Sequence, residues 1–182
     1  KTQLIFEANV FHITTRNEVL PFEVEAFPER DFFRNAGQTQ RTGLECSATY
    51  NDNNKLNASV NYSFSHFTFE DYEVNGTNLK GNKLPGIPKQ QLNFDVNYAL
   101  PQGIQIFILN QYADALFADD KNTITVNSYF ISHIKMSKRF VFSRMGVQFF
   151  GGINNLLNTS YFDNVRINAF GGRSYEPAPL RN

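Results

Sequence analysis

Residues 56–64 read LNASVNYSF. Leu56, Ala58, Val60, Tyr62 and Phe64 alternate with Asn57, Ser59, Asn61 and Ser63. Successive side chains of a strand point to opposite faces, so this is a strand with one apolar and one polar face. Such a strand has two possible settings. A soluble sheet packs the apolar face on a core and wets the other. A membrane barrel turns the apolar face to lipid and the polar face to a wet interior. The rhythm is general. Leu92, Phe94, Val96, Tyr98 and Leu100 alternate with Gln91, Asn93, Asp95 and Asn97, and Met145, Val147, Phe149 and Ile153 with Gln148 and Asn154. Period-two runs cover 4–15, 18–27, 32–50, 55–69, 90–100, 104–117, 123–136 and 142–156, with a further one from near Arg173. Apolar residues nowhere recur at three–four spacing for long enough to form a helix, so the chain reads as all-β.

Composition agrees with two-faced strands without choosing between the settings. There are 19 Phe and 8 Tyr but no Trp, yet the mean hydropathy is −0.39. Basic and acidic residues balance at 17 each, which removes any electrostatic argument for nucleic acid. Cys46 is the one cysteine, so neither an intrachain disulfide nor a cysteine zinc site is available. It shares a side with Leu44, Ala48 and Tyr50 and reads as a small apolar residue rather than a nucleophile. No apolar run reaches the roughly 18 residues of a membrane helix. The opening KTQLIFEANVF has a strand's rhythm and lacks a leader's charged start and apolar block. The expectation is that a leader was removed or that an N-terminal part is missing.

The connections separate the two settings. NDNNK at 51–55, PQG at 101–103 and SKRF at 137–140 read as short turns. Longer links fall at 70–87, about 115–123 and 158–173. In an up-and-down barrel, alternating short and long connections place all short ones on one rim and all long ones on the other, as in outer-membrane barrels. Length agrees. Leu56 to Phe64 spans about 27–30 Å and, tilted about 40–45°, rises about 20 Å, close to the roughly 25 Å apolar band of such barrels. Soluble strands usually end after about 5–6 residues, and several here are about twice that. The barrel is the better reading.

Motifs for bond-making chemistry are absent. His12, His66 and His133 are far apart and offer no close ligand pair for a metal. The GG pairs at 151–152 and 171–172 lack a strand–GxGxxG–helix setting and mark a strand bend and a loop. Asn57, Asn61, Asn75 and Asn158 match N-x-S/T, as chance allows in an asparagine-rich chain. FPERD at 27–31 and FADD at 117–120 set carboxylates beside aromatics; solvated loop charges are the default for both, ahead of acid–base catalysis. The chain reads as no enzyme and needs no cofactor. In the last long link, Arg166 and Arg173 with Phe162 and Phe170 suit recognition of a carboxylate or aromatic chelate by guanidinium. Arg166, Phe170 and Arg173 are the candidate ligand contacts.

Three segments resemble the C-terminal barrel region of TonB-dependent outer-membrane receptors. FFRNAGQTQRTGLECSATY at 32–50 is similar to that family's N-x-G…G-x-E strand through Asn35, Gly37, Gly43 and Glu45. KLPGIPKQQLNFDVNY at 83–98 resembles its proline-marked approach to the next strand through Pro85 and Pro88. GINNLLNTSYFDN at 152–164 is similar to its N-L-x-n-x-x-Y segment through Asn155, Leu156, Leu157, Asn158 and Tyr161. The tail GGRSYEPAPLRN resembles the run toward the family's final strand.

The resemblance implies an antiparallel up-and-down transmembrane β-barrel segment of the Gram-negative outer membrane. Residues 1–182 would be its C-terminal portion, eight or nine strands of a 22-stranded wall, with the plug domain and the final strand absent. It also implies uptake of a scarce ligand, a ferric siderophore or similar iron chelate. The partners implied are membrane lipid, the rest of the receptor, and TonB through the missing N-terminal part. The alternatives are a complete eight-stranded barrel acting as anchor or adhesin, and a soluble β-sandwich binding module.

Overall fold

The computed structural model describes residues 2–24, 26–52, 55–169 and 174–182. Seven strands form one sheet: β1 (Thr2–Arg16), β2 (Gln38–Asp52), β3 (Leu56–Asp71), β4 (Gln90–Leu100), β5 (Ile104–Ala113), β6 (Tyr129–Phe142) and β7 (Met145–Ile153). Each is antiparallel to the next, in chain order, with β1 and β7 at the edges. Apart from a single 3-10 turn at Pro101–Gly103, no helix occurs among the described residues.

The register carries the alternation across the sheet, the one shift being at the Gln38 end of β2, where Gln38 pairs with Asp71 and Thr39 with Phe69. Leu4, Tyr50, Ala58, Val96, Ile108, Ile134 and Ile153 stand opposite one another in turn, one from each strand. On the other face Glu7, Ser47, Asn61, Asn93 and Gln111 form the equivalent row. Surface hollows open on this polar side, lined by Glu7, Asn9, Glu45, Asn61 and Asn93. The apolar face is bare: Leu4 is 71% exposed, Phe6 67% and Val10 75%. No second sheet covers it among the described residues, which removes the sandwich. A sheet whose greasy face meets no protein is stable only when hydrocarbon meets it.

A dry core does exist, but at one end. Ala36, Phe69, Tyr72, Leu79 and Leu84 cluster where the long connections gather, with Leu20, Phe67 and Val74 packed against them. Residues 17–37, 72–89 and 114–128 are the long connections at this rim, and 154–182 leaves β7 from the same rim. The residues between β2 and β3, between β4 and β5, and at 143–144 are the short ones at the other.

Several sequence expectations shift. The runs at 104–117, 123–136 and 142–156 are each broken: Leu116–Phe117 pairs with Thr125–Val126 outside the wall, and the reversal at 143–144 and the end of β7 at Ile153 shorten the last. Residues 137–140 are not a turn. They lie inside β6, and the reversal falls at 143–144. Lys138 stays in the ladder because its ammonium rests 4.9 Å from the Phe140 ring, so the stem follows the apolar face while the charge reaches the rim. The run at 18–27 is extended but outside the wall. Val19–Val24 pairs with Phe27–Asn35 as a hairpin above β1 and β2. Its end is set by Gly37, whose φ of +64° breaks the continuous strand expected over 32–50.

Candidate functional site

The candidate site is the mouth formed by the long connections. Asp120 is its hub. The carboxylate accepts the Tyr72 hydroxyl at 2.7 Å and the Asn168 side-chain amide at 2.9 Å. Its backbone N–H donates to Asn168 Oδ1 at 3.0 Å, and its carbonyl accepts Asn82 Nδ2 at 2.9 Å. Asn168 also donates to the Pro21 carbonyl of the hairpin at 3.1 Å. One carboxylate and one amide therefore tie together the three long connections and the segment after β7. Asn122 adds a reciprocal pair with the Lys83 backbone, at 2.8 and 2.9 Å. Asp119 turns on its own loop instead, accepting Thr123 N, Thr123 Oγ1 and Ile124 N at 2.8, 2.7 and 2.7 Å.

This corrects the solvated reading of FADD. Asp119 and Asp120 are 9% and 3% exposed. Their oxygens are occupied by donors that make them structural acceptors, not acid–base groups. Burial, then the hydrogen bond and negative charge of Asp120, hold the Tyr72 hydroxyl well above the ordinary tyrosine range; Arg34 nearby opposes this in part. Glu29 and Asp31 of FPERD lie outside the described side chains.

Toward the polar face, Glu18 binds Arg41 and Thr39, fastening the hairpin to the top of β2. Arg41 also lies 5.9 Å from the Phe67 ring. In the hairpin, Arg34 sits 4.2 Å from the Phe22 ring and Arg30 5.7 Å from Phe32. The Arg30 and Arg34 contacts are local to the hairpin, whereas Arg41 meets Glu18 and Phe67 across elements distant in sequence, which no local pattern announced.

Of the expected ligand contacts, Arg166 is exposed beside the small hairpin Phe162–Val165/Tyr175–Pro177, its Nε 3.7 Å from Glu176 Oε1. Phe162 stacks on Tyr175 with centroids 4.3 Å apart. Phe170 and Arg173 lie outside the described residues.

The motif residues have physical roles. Gly37 N donates to Asn35 Oδ1 at 2.7 Å, closing the corner between hairpin and wall. Gly43 lies opposite Phe11, whose ring passes so close that a Cβ there would sit 2.4 Å from it. Asn155 is 2% exposed, holds Thr159 by both amide atoms at 2.8 and 2.9 Å, and reaches the Pro179 carbonyl at 3.4 Å. Tyr161 stacks on Tyr129 at 4.9 Å.

A two-faced, uncovered antiparallel wall with its long connections knotted at one rim defines an outer-membrane barrel segment. The family of TonB dependent receptor-like β-barrels matches residues 1–156, and the chain belongs to it. Its barrels lie in the Gram-negative outer membrane, which makes the long-connection rim the external one.

Solved receptors share the fold. The siderophore receptor PiuA from Acinetobacter baumannii superposes with a TM-score of 0.73 at 22% identity, over 98% of this chain and 25% of that one. The ferric yersiniabactin uptake receptor FyuA from Yersinia pestis gives 0.74 at 18%, over 98% and 26%. The ferric citrate transporter FecA gives 0.75 at 18%, over 98% and 27%. The chain thus spans about a quarter of the length of the receptors it matches.

Proposed function

We propose that the chain is part of the wall and external mouth of a TonB-energised receptor that imports a ferric siderophore or similar iron chelate. The observation that carries this reading is the single rim at which three connections and the segment after β7 share one buried hub. That rim is a fixed mouth above a wet-faced wall, the geometry of capture followed by passage. The reading is also supported by the siderophore and ferric-chelate cargo of the solved receptors named above. In this reading residues 1–182 are the C-terminal portion of a 22-stranded barrel, and a plug domain and TonB engagement belong to other parts of the receptor. The chain's own share is mechanical: it anchors, lines the lumen and shapes the mouth.

We assign Arg166, Phe170 and Arg173 to ligand contact. An exposed guanidinium beside stacked aromatics suits an anionic chelate. The test is uptake of radiolabelled iron by cells whose only chelate receptor is the full-length protein, with and without TonB. Uptake that needs both receptor and TonB is expected; uptake unchanged on deleting either would overturn the proposal. Arg166→Ala should weaken chelate binding without changing the amount of folded receptor, and an unaltered affinity removes Arg166 from the site.

A further inference from the structure

We propose that Asn168 is a positioning residue for ligand capture, fixing the place of the Arg166 guanidinium at the mouth. The inference rests on the assignment of Arg166 to ligand contact made above. The segment after β7 is fastened at its base by bonds to the wall and to itself. Leu156 N–H donates to the Ser132 carbonyl at 2.7 Å, Thr159 Oγ1 to the Phe130 carbonyl at 2.8 Å, and Ala178 N–H to the Tyr161 carbonyl at 3.0 Å. The small hairpin starts there, with Phe162 opposite Pro177. Arg166 is at the hairpin's other end, one step past the Val165–Tyr175 pair, where its backbone N–H donates to the Ser174 carbonyl at 2.8 Å. The bonds at the base therefore do not determine where Arg166 sits.

The next two residues do determine it, because together they touch all three long connections. Ile167 lies over Gly86 in 72–89, so close that a Cβ there would sit 2.9 Å from its Cδ1. Asn168 N–H donates to the Ala118 carbonyl in 114–128 at 2.9 Å. Its side-chain amide closes a ring with Asp120, accepting the backbone N–H at 3.0 Å and donating to the carboxylate at 2.9 Å. The same Nδ2 reaches the Pro21 carbonyl of 17–37 at 3.1 Å. Asn168 holds φ at +55°, a left-handed corner that asparagine tolerates and most side chains do not. Arg166 is thus clamped between a hairpin and a docked corner, while its side chain stays exposed, with Nε 3.7 Å from Glu176 Oε1. A guanidinium on an undocked hairpin must be ordered at each capture, which weakens binding. One on a docked corner is ordered beforehand.

The test has one readout without ligand and one with it. Nitroxides at Asn164→Cys and Lys80→Cys, both exposed positions, are placed in the full-length receptor freed of its other cysteines. Pulsed dipolar spectroscopy should give one narrow distance, and Asn168→Gly, which keeps the corner and removes the amide, should broaden it. Uptake of radiolabelled iron is then measured from ferric citrate and from a ferric tris-catecholate. For the chelate that is imported, Asn168→Gly should raise KM about tenfold with Vmax unchanged. Adding Asn168→Gly to Arg166→Ala should raise KM no further than Arg166→Ala alone, because Asn168 acts through Arg166. An unbroadened distance, KM effects that multiply in the double variant, or a lowered Vmax at constant KM would overturn the inference and leave the chelate reading standing. A natural receptor that imports neither chelate would overturn that reading, and the inference with it.

Discussion

An arginine placed at Val60 tests which medium meets the apolar face. Val60 stands midway along the β3 stripe from Leu56 to Phe64, with Ala48 and Phe94 opposite it on the neighbouring strands. That stripe spans about 27–30 Å of strand. At a tilt of about 40–45° that is a rise of about 20 Å, so Val60 lies about 10 Å from either end of the stripe, near the bilayer midplane. Arginine there costs about 2–4 kcal/mol, against about 0–1 near an interface. Asn61, one residue on, faces Ser47 and Asn93 on the polar side. Asn61→Arg meets water and should stay within about 0.5 kcal/mol of the natural protein. The full-length receptor is folded into phosphatidylcholine vesicles and unfolded with guanidinium, followed by far-UV circular dichroism. Val60→Arg should lower stability by about 2–4 kcal/mol and Asn61→Arg by almost nothing. The reverse order, or equal costs, would mean that protein rather than lipid covers the apolar side.

Other substitutions probe the corners and the hub. Gly43→Ala would push a Cβ to 2.4 Å from the Phe11 ring and 2.8 Å from the Phe64 carbonyl; a loss of about 1–3 kcal/mol is expected in the same unfolding assay, and an unchanged midpoint refutes the close crossing. Asp120→Ala removes the shared acceptor of Tyr72 and Asn168. Amide exchange around 79–84 and 118–124 should speed up about 5- to 150-fold, corresponding to about 1–3 kcal/mol for orphaned buried groups, while exchange in β3 stays as it was. Tyr72 carries a pH dependence of known sign. Its pKa is raised by folding, so the stability it lends is complete below about pH 10, the ordinary tyrosine value, and falls as pH rises from there toward the raised value. Protection at 79–84 should drop above about pH 10 in the natural protein, and a matching drop in Tyr72→Phe would show that another group is responsible.

What was legible in the sequence follows what the physics makes local. Alternation in 56–64 fixes which residues share a face because the strand's period is two, and the structure keeps that face through seven strands. Alternation does not say which ladder a strand joins. Val19–Val24 has the pattern yet pairs only with its own hairpin partner. Lys138 and Arg139 resembled turn residues, because a snorkelling lysine at a membrane rim and a solvated lysine in a turn look alike in one dimension. The burial of Asp120 was invisible for a different reason. Its partners Tyr72 and Asn168 are each 48 positions away, so no window around FADD contains the groups that take it out of water.

The asparagines show how one residue type serves both halves of the molecule. Asn57, Asn61, Asn93 and Asn97 fill the polar face of β3 and β4, where an uncharged polar side chain lines a wet lumen without concentrating charge. Asn17, Asn75, Asn122, Asn155, Asn158 and Asn168 instead hold positive φ, and every one of them lies in a long connection. Asparagine tolerates that left-handed backbone better than other side chains and keeps an amide free to bond nearby. Asn122, Asn155 and Asn168 use it to bind Lys83, Thr159 and Asp120. A wall held by lipid and ladder hydrogen bonds needs no packed interior, so packing moves to the external rim. There, glycine makes some corners, as at Gly37, and asparagine makes others while binding its neighbours at once.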